Sequence, residues 1–147
     1  MAAGVLVADD LNVEGTDLIR AAARLGQGLG LPVTVLHVIG EDEAERFQQE
    51  QPEGSGFLDL LMDRRRGELA ARVAAAVGDD EASRTTVQVR HGEADEIVIA
   101  TLDDGGYEYG VIGVRSRSRV GKLMFGSRAQ SILLNAPCPI LSVPIDG

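Results

Sequence analysis

Residues 4–40 read GVLVADDLNVEGTDLIRAAARLGQGLGLPVTVLHVIG. Residues 4–8 are apolar and rich in β-branched side chains, and two aspartates end the run, so they predict a buried strand followed by a turn. Over residues 16–29 the apolar positions recur three and four apart, which is the spacing of an amphipathic helix. Residues 32–39 form a second apolar run that ends at a glycine, as a second buried strand would. The segment therefore predicts a βαβ unit.

The rest of the chain repeats this alternation of helices and strands. Strands are predicted over residues 85–90, 109–114 and 139–143, and helices over 58–76, around 97–101 and over 127–135. Such alternation predicts an α/β fold: a five-stranded parallel sheet covered by helices on both faces, a doubly wound arrangement of three layers with right-handed crossovers. We expect one domain over residues 1–147, since a second independent core would have little room.

One segment does not fit the alternation. Residues 40–56 are acidic, polar and punctuated by glycines and Pro52, and this composition predicts a mobile loop. The loop is either a solvated linker, which we favour, or a segment that folds over a ligand.

Composition and charge exclude several classes of protein. Of 147 residues, 44% are hydrophobic and 25% charged, as in ordinary globular domains, and the net charge is −9. That charge repels nucleic-acid phosphates, and aromatic residues, at 3%, are too few for a base-stacking surface. The one cysteine, Cys138, has no partner for an internal disulfide, and no apolar run approaches the ~20 residues of a membrane-spanning helix. We expect a cytoplasmic protein with neither a nucleic-acid nor a membrane partner.

Positive charge is concentrated near the C-terminus. Residues 1–108 contain nine arginines and 22 acidic residues, whereas residues 109–147 contain four arginines, one lysine and one acidic residue. In an open parallel sheet, ligands bind beyond the carboxyl ends of the strands. The basic loop that follows the fourth strand, at residues 113–126, therefore predicts a site for a phosphorylated ligand.

Local features of this loop support the same interpretation. Gly113 and Gly126 allow backbone to approach phosphate oxygens closely, and Ser127 stands at a helix start, where free N–H groups bind anions. The alternative is a solvated basic turn whose serine caps the helix, and spacing alone does not separate the two.

The segment GVRSRSRVGKLMFGSRAQSILLNAPCPILSVP, residues 113–144, resembles the C-terminal signature of the universal stress protein family. Members of that family that bind ATP have Gly, two residues, Gly, nine residues, then Gly followed by Ser or Thr. Gly113 and Gly126-Ser127 match this spacing, and Ser116 replaces the second glycine. The segments VLVADDLN and LPVTVLHVIG are similar to the first two strands of the family, so the resemblance covers essentially the whole chain.

The resemblance implies a flavodoxin-like or adenine-nucleotide α-hydrolase-like fold, with strand order 3-2-1-4-5. It also implies binding of ATP, with or without Mg²⁺: Asp10 lies at the adenine or ribose, and Val38 meets the adenine through its backbone. Ile112 and Gly113 lie near the ribose and triphosphate. The predicted cofactor-binding residues are Ala8, Asp9, Asp10, Val38, Ile112, Gly113, Arg115, Ser116, Gly126, Ser127 and Arg128. In the family the last strand often pairs with its mate, which implies a homodimer through residues 139–144.

Other chemistry-bearing residues have plainer interpretations. Asp9 and Asp10 have the oxygen ligands for a magnesium ion, but a turn or capping role is favoured. His37 lies within an apolar strand and is interpreted as a hydrogen-bonded core residue. His91 has no second histidine or cysteine at the spacing of zinc ligands. Cys138 is interpreted as a structural residue. No nucleophile elbow, kinase signature or P-loop is present, so we expect slow ATP hydrolysis at most.

Two functions remain open. The first is a universal stress protein that binds ATP or a related adenine nucleotide as a regulatory ligand in the stress response. The second is a dimeric interaction module of the same fold that binds no nucleotide and contacts a regulatory protein partner. Ser116 favours the second, whereas the retained glycines, Asp10 and the charge distribution favour the first.

Overall fold

The structure, a computed structural model, describes residues 4–11, 16–50, 56–115 and 126–145. The strands are β1 (Val5–Ala8), β2 (Val33–Ile39), β3 (Thr86–His91), β4 (Tyr109–Arg115) and β5 (Ile140–Ile145). The helices are α1 (Asp17–Leu29), α2 (Glu41–Glu50), α3 (Phe57–Val77), α4 (Asp79–Ala82), α5 (Ala94–Gly105) and α6 (Ser127–Asn135). The strands form one parallel sheet in the order β3-β2-β1-β4-β5, which confirms the predicted fold class and strand order.

Alternate side chains of the central strand β1 enter two separate cores. Val5 and Val7, both fully buried, pack on the face covered by α1 and α3, while Leu6 packs on the face covered by α5 and α6. Burying each such side chain stabilises the fold by about 1.5–3 kcal/mol. The continuous apolar run of β1 is therefore a consequence of helices on both faces of the sheet.

Helix α1 ends as the sequence predicts. Gly30 has φ 69°, a left-handed conformation that glycine adopts at little cost, and the N–H of Leu31 donates to the carbonyl of Gly26 at 2.8 Å. This ending turns the chain directly into β2.

The prediction of a loop over residues 40–56 is wrong for most of that segment, because Glu41–Glu50 form helix α2. Ala44 and Phe47, three residues apart, are buried, and the guanidinium of Arg64 lies 5.1 Å from the centre of the Phe47 ring. Three acidic residues in the first turn also stabilise the helix through its dipole. Two apolar residues are too few for a periodicity to show in the sequence, so the helix depends on packing against α3.

Within the described ranges, no helix combines the length and the apolar character that crossing a lipid bilayer demands.

Candidate functional site

A cleft of about 270 Å³ opens at the carboxyl ends of β1 and β4, and we call it the β1–β4 cleft. In the sheet, β2 is the neighbour of β1 on one edge and β4 is its neighbour on the other edge. The strand order therefore reverses between β1 and β4, and the cleft lies at this point. This is where open α/β sheets bind ligands. Its lining consists of Ala8, Asp9, Asp10, Asp17, Leu18, Arg72, Ala94, Ile112, Gly113, Arg128, Ala129, Ile132 and Ile145.

Asp9 forms the buried acidic part of the cleft and is only 3% exposed. Its Oδ2 accepts a hydrogen bond from Nε of Arg72 at 2.8 Å, and its Oδ1 accepts one from the N–H of Leu11 at 2.9 Å. Leu11 has φ 63°, a left-handed conformation that costs a leucine energy, and the bond from its N–H to Asp9 holds the turn. Asp9 is therefore the residue that shapes the turn after β1.

Asp10 lies at the mouth of the cleft. Its side chain is 51% exposed, and its Oδ2 is 3.4 Å from Nη2 of Arg115 at the end of β4. A pair this exposed contributes at most about 1 kcal/mol. The contact nevertheless joins the ends of the two strands between which the cleft opens.

The middle of the cleft is apolar. Ile112 and Ile132 are buried, and Gly113 makes room for Ile145: a Cβ at position 113 would lie 2.7 Å from Cδ1 of Ile145. A flat apolar ligand group can pack against such side chains, while the polar groups at the two ends orient it.

The basic part of the cleft lies at the start of α6. Gly126 occupies the N-cap position in an extended conformation, and among the described residues no side chain caps this helix. Ser127 is the first helical residue, so it does not occupy the capping position that the alternative interpretation gave it. Arg128 lines the cleft, is more than half exposed, and lies 3.8 Å from a carboxylate oxygen of Glu93. The helix N-terminus and Arg128 together favour an anionic group at this end.

The structure brings together in the cleft many of the residues predicted from sequence: Ala8, Asp9, Asp10, Ile112, Gly113 and Arg128. Arg115 joins them through its contact with Asp10. Val38 lies on β2 and packs into the core between the sheet and α5 and α6, outside the lining of the cleft. Gly126 and Ser127 are exposed beside Arg128 without lining the cleft, and Ser116 lies outside the described residues.

Sequence reasoning missed Arg72 on α3. This arginine follows Leu69 by three residues and precedes Val73, and both of those side chains are buried. An arginine on the buried face of a helix needs a buried acidic partner. Its position was thus a detectable signal, but the identity of the partner, Asp9, depends on how α3 packs.

A second polar cluster lies on the other side of Asp9. The ring of His37, on β2, is 2% exposed; its Nδ1 is 2.9 Å from the carbonyl oxygen of Asp9, and its Nε2 is 3.2 Å from both carboxylate oxygens of Glu43. Nε of Arg65 donates to Glu43 at 2.7 Å. His37 is thus hydrogen-bonded at both nitrogens, as its interpretation as a core histidine requires.

These contacts shift the pKa of both groups. Burial lowers the pKa of His37, but the hydrogen bonds to Glu43 and to the Asp9 carbonyl outweigh burial, so the pKa is raised above its ordinary value of 6.5. Burial raises the pKa of Glu43, but the hydrogen bonds from His37 and Arg65 outweigh it, so this pKa is lowered below 4.5. Both groups are therefore stabilised in their charged forms.

The remaining candidates do not form a reactive centre with the cleft. Burial raises the pKa of the Cys138 thiol, although a backbone hydrogen bond from Gly110 opposes the shift, so the unreactive thiol form is favoured. Nε2 of His91 lies 3.0 Å from a carboxylate oxygen of Glu41. In the part of the chain that the structure describes, no three His, Cys, Asp or Glu side chains are grouped so that they could hold a metal ion.

Comparison with known proteins finds the same fold in solved structures and identifies the family of this chain. The profile of the universal stress protein family matches residues 1–144. The chain belongs to the universal stress protein family. A universal stress protein from Mycolicibacterium smegmatis is 44% identical over 55 residues, a match that covers 37% of this chain and 42% of that relative. The match thus spans less than half of the length of the relative.

Solved universal stress proteins share the whole architecture. One from Archaeoglobus fulgidus superposes with a TM-score of 0.68 at 22% identity, over 97% of this chain and 99% of the other. A second, solved in complex with cAMP, superposes with a TM-score of 0.66 at 12% identity, over 98% of each chain. At such identities the likeness establishes a common fold.

Proposed function

We propose that this universal stress protein binds ATP or a related adenine nucleotide in the β1–β4 cleft and that the bound nucleotide is a regulatory ligand in the stress response. The observation that carries this proposal is the polarity of the cleft: aspartates at the end of β1, an apolar middle, and Arg128 at the start of α6. The complex of a universal stress protein of the same fold with cAMP supports the same class of ligand.

The polarity of the cleft suggests an orientation for the nucleotide. The base packs against the cleft-facing sides of Ile112 and Ile132, and not on Val38, which the family resemblance puts at the adenine but which does not line the cleft. The ribose hydroxyls, which are hydrogen-bond donors, face Asp10. The phosphates lie by Arg128 and the N-terminus of α6, where the positive end of the helix dipole stabilises anions. The cleft, at about 270 Å³, is slightly smaller than the ~300–1,000 Å³ typical of ligand pockets, so it encloses a nucleoside and leaves the phosphates at its mouth.

Magnesium does not fit the Asp9–Asp10 pair. Both carboxylate oxygens of Asp9 already accept hydrogen bonds, from Leu11 and Arg72. A magnesium ion that accompanies ATP would therefore be held mainly by the phosphates, and Asp10 would be the residue after β1 that could supply it a carboxylate oxygen.

Nucleotide content of the purified protein and calorimetric titration test the proposal. We expect the denatured extract to contain adenine nucleotide, or the titration to show micromolar affinity for ATP. The variant Arg128→Gln should bind ATP more weakly than the wild type. Arg66→Gln is the matched control, since Arg66 is an exposed arginine on α3 that is ion-paired with Asp63. The proposal fails if the folded protein binds no adenine nucleotide at about 1 mM. A dissociation constant of that size corresponds to a binding free energy of only about −4 kcal/mol.

We propose a homodimer, which is common to the nucleotide-binding function and to the alternative of an interaction module that binds no nucleotide; the last strand supports this dimer. β5 is at the end of the sheet, and Leu141 on it is 41% exposed, while Leu134 on the neighbouring α6 is 82% exposed. Exposed apolar side chains along an edge strand favour pairing with a second chain. We propose a homodimer through residues 139–144 and, given the lone cysteine, a cytoplasmic setting.

A further inference from the structure

The hydrogen bonds of His37 determine how many protons its ring carries. The partner of Nδ1 is the backbone carbonyl of Asp9, and a carbonyl oxygen only accepts, so Nδ1 carries a proton. The partner of Nε2 is the carboxylate of Glu43, which also accepts when it is ionised. With both nitrogens donating, the ring is an imidazolium.

Arg65 excludes the alternative in which Glu43 carries the proton. Its Nε donates to Oε2 of Glu43 at 2.7 Å, and a guanidinium beside a carboxylate stabilises the ionised form. The raised pKa of His37 and the lowered pKa of Glu43 agree with this distribution of protons.

The charged groups around the ring come from three elements. The turn after β1 contributes Asp9, α2 contributes Glu43, and α3 contributes Arg65, whose own charge opposes the proton on His37. Farther out, Glu68 pairs with Arg65, and Arg72 pairs with the side chain of Asp9. On the neighbouring strand β3, the residue opposite His37 is the uncharged Val89.

Asp9 connects this cluster to the β1–β4 cleft. Its backbone carbonyl bonds to His37, while its side chain bonds to Arg72 and to the N–H of Leu11 and lines the cleft. The next residue, Asp10, lines the β1–β4 cleft and also a second pocket of about 300 Å³, which Glu43 and Arg65 line as well. The turn after β1 therefore has the cleft on one side and the His37–Glu43–Arg65 cluster on the other.

We propose that His37 is a positioning residue for the β1–β4 cleft: its imidazolium ties the Asp9 end of the cleft to helix α2, so that the affinity of the cleft for its ligand depends on the proton of this ring. The proposal rests on the proposed nucleotide site. A neutral ring keeps only one of its two donors. With the proton on Nε2 the bond to Asp9 is lost, and with the proton on Nδ1 a lone pair faces the Glu43 carboxylate.

The sign of the effect follows from the protonation. Binding is strongest while His37 is charged, and it weakens as pH rises through the pKa of His37 in the folded protein. We expect the affinity for adenosine to fall about tenfold across this titration, which corresponds to about 1.4 kcal/mol. Adenosine is the probe because it carries no phosphate that titrates in the same range.

Two substitutions separate the two bonds of the ring. His37→Asn places an amide N–H near the position of Nδ1, so it keeps the bond to Asp9 and loses the bond to Glu43. His37→Gln places its amide near Nε2, so it keeps the bond to Glu43 and loses the bond to Asp9. We expect His37→Asn to bind adenosine with an affinity independent of pH, and His37→Gln to bind about tenfold more weakly.

His91→Asn is the matched control, since His91 is the other histidine of the chain. This variant should keep the wild-type pH profile. A profile that disappears in His91→Asn, or that survives in His37→Asn, overturns the proposal.

A measurement without ligand keeps this proposal separate from the proposed function. In ¹⁵N-labelled wild-type protein near pH 6, both ring nitrogens of His37 should carry protons, and titrating the ring should move the amide signals of Asp9 and Leu11. A protein that passes this test but binds neither adenosine nor ATP contradicts the nucleotide site alone. A neutral ring, or a titration that leaves both amides unmoved, overturns the role of His37 whatever the cleft binds.

Discussion

Nε of Arg72 lies 2.8 Å from the carboxylate of Asp9, and this ion pair joins the turn after β1 to the C-terminal third of α3 across 63 positions of sequence. The Asp9 side chain is almost fully buried and the Arg72 side chain is 18% exposed. Removing one member of such a pair leaves a charge buried without its partner, which costs far more than the pair contributes.

Arg72→Leu should therefore lower the free energy of unfolding by about 3 kcal/mol, within the ~3–5 kcal/mol range for broken buried pairs. Urea denaturation monitored by circular dichroism measures this change. Arg66→Leu, which breaks the exposed pair with Asp63, is the control and should cost less than about 1 kcal/mol. Equal losses in the two variants would mean that the Asp9–Arg72 pair is screened by solvent.

Gly126→Asp should abolish nucleotide binding and leave the fold intact. Position 126 has an ordinary extended conformation, and no atom of the described residues lies within 4 Å of its missing Cβ. The side chain is therefore accommodated, but its carboxylate repels phosphates at the start of α6. Gly67→Asp on α3, also in open space, adds the same charge elsewhere and should bind normally. Calorimetric titration with ATP makes the comparison, and unchanged affinity in a folded Gly126→Asp protein would move the site elsewhere.

Ser116→Gly should strengthen nucleotide binding, because it restores the glycine spacing of the ATP-binding signature. A tenfold gain in affinity for ATP corresponds to about 1.4 kcal/mol. Ser116→Ala distinguishes the effect of backbone freedom from loss of the hydroxyl. Weaker binding in both variants would indicate that the hydroxyl contacts the ligand.

The His37–Glu43 pair should make stability depend on pH in a defined window. Because the pKa of His37 is raised, its contribution is complete below 6.5 and is lost as pH rises through the folded-state pKa. Because the pKa of Glu43 is lowered, its contribution is complete above 4.5 and is lost as pH falls through the folded-state pKa. Both contributions are therefore complete between these two values.

Urea denaturation at a series of pH values measures this window. Glu43→Gln should flatten the loss of stability above pH 6.5, since a neutral amide no longer favours the imidazolium. Glu45→Gln removes an exposed charge from the same helix and should leave the profile unchanged. A profile that Glu43→Gln leaves unaltered would assign the pH dependence to other groups.

Leu141→Lys should convert the proposed homodimer to a monomer. An ammonium group on the outer edge strand would face its own copy across the interface, and its burial there is unfavourable. Leu60→Lys is the matched control, because Leu60 on α3 is similarly exposed, at 48%. Sedimentation equilibrium distinguishes the two states, and a wild-type protein that sediments as a monomer contradicts the dimer.

The sequence was sufficient for the alternation of strands and helices, and it pointed to the edge of the sheet at which the β1–β4 cleft opens. The apolar runs of β1 and β2 and the periodicity of α1 and α3 carry that information locally, since a buried strand and an amphipathic helix each have a recognisable period. The segregation of positive charge pointed to the basic loop at residues 113–126, of which residues 116–125 lie outside the described residues. Arg128, which follows that loop, borders the cleft. The order of the strands came from the resemblance to a family, since no local pattern specifies which strands are neighbours.

Helix α2 and the partners of the charged residues depend on distant parts of the chain. Phe47 stabilises α2 because α3 passes over it, and neither segment contains that information alone. The sequence singles out Asp9 and His37 but does not identify their partners: folding places Asp9 between Arg72 and the cleft, and His37 between Asp9 and Glu43. Local pattern determines where backbone hydrogen bonds form, whereas the charge state of a buried side chain depends on which distant groups the packing brings within about 3 Å of it.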